Sequence, residues 1–196
     1  MLIATPRLHP DILQHLERDG MLRLGHFLFR SGRHSRALLD RDRLLTDPAI
    51  ASRMGYALAK AFFTDKIDIV AAPSIWGAGL AQWVAYFLDP KAKVVYATPQ
   101  RDGTPLIAKK LGPVIAGQRI LLVDNLVISG ETMEQFSDAI EEMGGTVLGI
   151  GTLRDTADEI IRGHRVLGLL DEFYPAYRSE DCPLCVANEV AIERIP

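Results

Sequence analysis

Residues 119–132, RILLVDNLVISGET, hold the side chains whose types and spacing could do chemistry. The stretch opens on an apolar run at 120–123 and then meets Asp124 and Asn125. It crosses Leu126, Val127 and Ile128 and turns through Ser129, Gly130, Glu131 and Thr132. Met133, Phe136, Ile140 and Met143 come next at spacings of three and four, which predicts a helix. The order is buried strand, acidic edge, small-residue loop, helix. Such a loop offers several backbone N–H groups to one anion, and the helix dipole adds to the attraction. An acid at the strand end can hold ribose hydroxyls or a metal-bound ligand, so the stretch describes a sugar-phosphate site. It also describes an ordinary strand-to-helix turn, where Asp, Ser and Gly are common. Neither a GxxxxGK[ST] loop nor, at 75–79, a GxGxxG fingerprint is present.

Other residues qualify less sharply. Arg101, Lys109 and Lys110 lie in a long segment, 99–117, with little regular pattern. A loop of that length inside a domain is functional or mobile, and its lysines can swing over a polyphosphate or simply stay solvated. His26 and His34 have no metal-ligand spacing. Cys182 and Cys185 form one CxxC, half of a zinc motif, and lack a second pair of ligands unless a dimer supplies it. Two reduced structural thiols are the expectation, and no side chain is assigned to a metal.

The elements that position these residues are read from pattern. A first helix is expected at 9–18, then a strand at 24–29, a turn at Ser31-Gly32 and a return strand at 36–40. Asp47-Pro48 starts a helix, with a capping carboxylate before proline at the first helical position. A strand at 67–72, a loop at 73–77, a helix at 78–88 and a strand at 92–98 come next. Further strands are expected at 146–153 and 166–170. Strands alternating with helices give a parallel α/β sheet with helices on both faces. Ligands bind beyond the C-terminal strand ends of such sheets. Asp124, the 73–77 loop and the 99–112 loop would share that edge.

Composition bounds the class. With 196 residues, 48% hydrophobic and 24% charged, the chain suits one well-buried domain. A formal net charge of -3 argues against a general nucleic-acid or membrane-surface binder. No apolar run approaches transmembrane length, and the N-terminus lacks a signal-peptide pattern. A cytoplasmic location is expected, since the cysteines make no disulfide framework.

ILLVDNLVISGET resembles the phosphoribosyl-pyrophosphate signature of type I phosphoribosyltransferases. GHFLFRSGRHS at 25–35 is similar to the N-terminal segment of orotate phosphoribosyltransferases. IDIVAAPSIWGAGLA sits where that family has its pyrophosphate loop, and YPAYRSEDCPLC resembles the tail of a bacterial subgroup. The resemblance covers most of the chain in the right order. It implies one domain over 1–196, with a sheet core at 46–170 and a hood over the base made by 1–45 and the tail. It implies transfer from phosphoribosyl pyrophosphate to a nucleobase, orotate in the first place, with Mg²⁺ on the pyrophosphate. Asp124 then matches the acid that holds the ribose hydroxyls, and Ser129, Gly130, Glu131 and Thr132 the 5′-phosphate loop. Ser74, Ile75, Trp76 and Gly77 match the pyrophosphate loop. Arg101, Lys109 and Lys110 fall in the catalytic loop, which in the family closes over the neighbouring subunit's site, so a homodimer is implied.

Departures from the family pattern cluster near the base. Asn125 stands at the second acidic position, Ile128 where threonine is usual, and Trp76 is bulky for a pyrophosphate loop. Arg36, Ala37 and Leu38 replace aromatics, and Arg154-Asp155 inverts the usual order, although Arg154 could still meet an orotate carboxylate. They keep open transfer to another base, or a non-catalytic regulator binding a nucleotide on the same fold.

Overall fold

Four consecutive aliphatics, Ile120, Leu121, Leu122 and Val123, are each 0% exposed, as a strand covered on both faces requires. They centre the fold. The computed structural model describes residues 10–88, 92–101, 104–156, 160–188 and 190–195. His9 and the rest of 1–9, expected to open the first helix and the hood, lie outside the described residues.

In chain order the elements are α1 (Pro10–Arg18), β1 (Leu22–Leu28), β2 (His34–Leu39), α2 (Arg41–Thr46), α3 (Pro48–Ala61), β3 (Ile69–Ala72), α4 (Ile75–Leu88) and β4 (Lys93–Tyr96). Then come β5 (Thr98–Pro99), β6 (Pro105–Leu106), a 3-10 turn (Lys109–Leu111), α5 (Gly112–Ile115), β7 (Arg119–Val127), α6 (Glu131–Glu142) and β8 (Thr146–Asp155). The chain continues through β9 (Ile160–Ile161), β10 (His164–Gly168), a second 3-10 turn (Ser179–Asp181), α7 (Pro183–Ala187) and β11 (Ile192–Arg194).

The main sheet has the order β4-β3-β7-β8-β10-β9. Its neighbours pair in parallel except β9, which runs antiparallel to β10. Successive side chains of a strand face opposite ways. Leu121 and Val123 therefore join the core that includes Met54 and Leu58 of α3 and Leu80 and Val84 of α4. Ile120 and Leu122 join the other, with Phe136 and Ile140 of α6 and Ile115 of α5. The mixed α/β class with helices on both faces is as expected. A second sheet, β11-β1-β2, pairs the N-terminal hairpin with the tail, β1 and β11 being parallel.

Three expectations need correction. The 73–77 segment is not a loop throughout, because α4 begins at Ile75. Ser74 Oγ accepts from the Gly77 amide at 3.2 Å, the bond of a helix N-cap. The 99–117 segment is not patternless: it carries the β5–β6 hairpin, the 3-10 turn at Lys109–Leu111 and α5. The strand after Arg119 does not stop at Val123 but runs through Asp124 and Asn125 to Val127. The sequence reading missed α2 and β11.

Candidate active site

β3 and β7 are adjacent and parallel, so the segments that leave their C-terminal ends emerge at one edge of the sheet. There a cavity of about 410 Å³ is lined by residues including Ser74, Trp76, Asp124, Ile128 and 129–132. Two stretches some fifty residues apart thus share one pocket. Ser74 Oγ lies 3.5 Å from Asp124 Oδ1, which also accepts from the Asn125 amide at 2.8 Å.

Glycine shapes both turns. Gly130 has φ +88°, a left-handed conformation that side chains resist, and it is the N-cap of α6. It has no side chain to cap the helix, so the first-turn N–H groups of α6 make no side-chain cap bond. The helix dipole adds a partial positive charge there. An anion in the cavity meets both. A Cβ on Gly77 would sit 2.8 Å from Val123 O and 2.9 Å from Asp124 Oδ1, so only glycine lets α4 start this close to β7.

The fully buried Asn125 donates from its side-chain amide to Trp76 O at 3.1 Å, tying the end of β7 to the first turn of α4. A carboxylate in that place has no proton to give a carbonyl. Asn125 is therefore part of the scaffold beneath the site. Behind the 128–132 turn, the fully buried Thr156 donates its amide to Val127 O at 2.8 Å, and its hydroxyl lies 3.3 Å from Ile128 O.

Not every expected residue lines the cavity. Ile75 is in the first turn of α4, 59% exposed, and Gly77 packs behind the cavity wall. Arg101, Lys109 and Lys110 are exposed on the excursion between β4 and β7 and do not line the cavity of their own chain. Arg154 is 1% exposed, with Nη1 donating to Asp171 Oδ1 at 2.7 Å and Nη2 to Ser35 Oγ at 2.7 Å. Burial pushes the Arg154 guanidinium below its ordinary value and the Asp171 carboxyl above its own. Arg154 is bound into the interior, where it joins β8 to β2. Arg30, in the turn between β1 and β2, lines the cavity and was missed. Only its place in the 25–35 segment could have drawn attention to it.

Residues 40–163 match the phosphoribosyl transferase domain family. An orotate phosphoribosyltransferase of Thermus thermophilus is 38% identical over 89% of this chain and 94% of that protein. Among solved structures, an orotate phosphoribosyltransferase from Aeropyrum pernix superposes with a TM-score of 0.59 at 23% identity, over 83% of this chain and 98% of that one. One from Mycobacterium tuberculosis, in complex with 5-phospho-alpha-D-ribosyl 1-diphosphate, gives 0.55 at 17% identity, over 67% and 78%. The two structures share the fold, and the family match with the 38% relative fixes descent: the chain belongs to the phosphoribosyltransferase family, enzymes of the glycosyltransferase type.

Proposed function

We propose that the chain transfers the phosphoribosyl group of phosphoribosyl pyrophosphate to orotate, giving orotidine 5′-phosphate and pyrophosphate. The observation that carries this is the single cavity that brings Asp124 and the uncapped start of α6 together. The orotate assignment is supported by relatives of that name along nearly the whole chain.

Each part of the reaction has residues suited to it. The first-turn N–H groups of α6 hold the 5′-phosphate. The Asp124 carboxylate accepts the ribose hydroxyls and favours the positive charge that builds on the ribose ring as pyrophosphate leaves. Arg30 and the Ser74–Trp76 turn face the departing anion. The oxygens of Asp124 and Glu131 in the cavity are the hard donors that suit Mg²⁺, which takes one or two carboxylates together with substrate phosphates. Bound there, Mg²⁺ would offset part of the negative charge of the leaving pyrophosphate. The sheet β11-β1-β2 forms the hood over the base.

A cytoplasmic homodimer is part of the proposal. Arg101, Lys109 and Lys110 lie off their own chain's cavity, which suits action on a neighbour's. Tyr56 and Tyr86 are 55% and 66% exposed and both pack edge-on to Phe87, an aromatic surface of the kind subunits bury. Ile128 favours a second reading, transfer to another base, because it puts an apolar wall where the family usually has a hydroxyl.

The deciding experiment incubates the protein with phosphoribosyl pyrophosphate, Mg²⁺ and orotate and follows the loss of orotate absorbance. Turnover is expected. Turnover only with a different base selects the second reading, and binding without turnover of any base overturns both.

A further inference from the structure

We infer that His26, His34, Cys182 and Cys185 form a structural zinc site that clamps the C-terminal tail to the N-terminal hairpin. One ligand atom from each of the four lies within 4.8 Å of all the others. His26, His34 and Cys182 are 2%, 4% and 0% exposed, and Cys185 is half-buried. None of the four lines the cavity described above. The second ligand pair that one CxxC lacks comes from the same chain, 148 or more residues away, and no spacing rule would have paired them.

The geometry suits a tetrahedral ion. Zinc–sulfur bonds of about 2.3 Å and zinc–nitrogen bonds of about 2.0 Å set tetrahedral edges of about 3.5 Å between S and N and about 3.3 Å between N and N. The Cys182 and Cys185 sulfurs each lie 3.6 Å from His26 Nε2, and Cys185 Sγ lies 3.4 Å from His34 Nδ1. His26 Nε2 and His34 Nδ1 are 2.8 Å apart, so an ion would part the two rings by about half an ångström.

The remaining ring nitrogens have their own partners. His26 Nδ1 faces Val190 O at 3.4 Å, and because a carbonyl can only accept, a proton on Nδ1 would satisfy this contact and leave the Nε2 lone pair for a metal. His34 Nε2 lies 2.9 Å from Ser179 Oγ, which leaves Nδ1 for the same point. Ligand histidines are commonly oriented in this way. The local chain helps. Pro183 opens α7, and the Cys185 and Val186 amides both turn back to Cys182 O, which brings the two sulfurs to one side. Two thiolates and two imidazoles favour zinc over the hard cations, and four protein ligands leave no position open for catalysis.

The clamp reinforces two other ties. His34 and Tyr177 exchange both backbone hydrogen bonds at 2.8 Å, and β11 pairs with β1. Metal binding and docking of the tail are therefore linked.

The test is metal analysis of the full chain, purified reduced, dialysed against Zn²⁺ and freed of unbound metal. About one zinc per chain is expected, absent from the Cys182→Ser/Cys185→Ser variant. Replacement by Co²⁺ should give thiolate-to-metal absorption and intense tetrahedral bands in the wild-type chain, a readout that needs no variant to fold. The inference is overturned by less than about 0.1 zinc per chain, by zinc retained in the double variant, or by a Cys182–Cys185 disulfide in the intact mass.

Discussion

The Asn125 side-chain amide donates to the main-chain oxygen of Trp76 at 3.1 Å, and this bond fastens the end of β7 to the first turn of α4. It accounts for the residue that departs from the family's acidic pair. Replacing Asn125 by Asp would set a buried carboxylate against a carbonyl oxygen, with no donor between them. Asn125→Asp should lose about 2 kcal/mol of stability, read from the urea midpoint at constant m-value. An unchanged midpoint would mean that the amide–carbonyl bond does not support the turn.

Gly77 makes a second prediction, whose sign is informative. In an ordinary helix, glycine to alanine gains up to about 1 kcal/mol. Here the added carbon meets Val123 O at 2.8 Å and Ala72 Cβ at 3.1 Å, atoms of two packed strands that cannot easily retreat. Gly77→Ala should lose about 1–3 kcal/mol and raise the KM for phosphoribosyl pyrophosphate, because the start of α4 must lift from Asp124. A stabilised variant with unchanged KM would refute the close approach.

These two contacts mark the limit of what the sequence discloses. β7 and the 128–132 turn are legible because four aliphatics in a row, then small polar residues, then apolar spacing of three and four admit one order of elements. The start of α4 was misread because its first residues, Ile75 and Trp76, are apolar and exposed, which masks the helical face. Ser74 three residues before Gly77 was the available signal, a capping hydroxyl. The place of Arg154 was illegible, because it depends on Asp171 and Ser35 arriving from distant parts of the chain. The same holds for the histidine–cysteine cluster, where a hairpin and a tail meet only in the fold.

The Lys109 and Lys110 side chains are exposed, on the 3-10 turn before α5. Replacing both by Ala should leave the Tm nearly unchanged and lower kcat by about 10²-fold, the scale of losing a cation that stabilises a leaving group. Co-refolding this variant with an Asp124→Asn chain should restore part of the activity, since a mixed dimer rebuilds one intact site. Unchanged kcat removes the loop from the mechanism, and absence of recovery removes the sharing between subunits.

Asp68 and Arg119 lock β3 to β7 where the two strands begin. Two guanidinium–carboxylate bonds of 2.8 Å and the Arg119 amide at 3.0 Å hold the Asp68 carboxyl down to about 2. The folded chain keeps this group ionised at pH values where the unfolded chain has protonated it. Its contribution is therefore present above about pH 4 and is lost as pH falls toward 2. With side chains 32% and 44% exposed, solvent screening limits it to about 1 kcal/mol. The stability gap between wild type and Asp68→Asn should be widest near neutral pH and close below pH 4. A gap independent of pH would assign it to packing.

The last prediction separates scaffold from substrate contact at Arg154. The sequence left room for this cation to meet an orotate carboxylate, but its guanidinium is 1% exposed and already serves Asp171 and Ser35. Burial disfavours the charged form of both partners, and the charge of each offsets part of that for the other. Asp171→Asn would leave the enclosed cation without its hydrogen-bonded ion-pair partner, at a cost of about 3 kcal/mol, below the full penalty because the Asp155 charge still acts on it and the Asp171 side chain is 29% exposed. The expected result is a large fall in the urea midpoint with KM for orotate changed little under conditions where the variant is folded. A stable Asp171→Asn protein with a many-fold higher KM for orotate would instead put Arg154 in contact with the base.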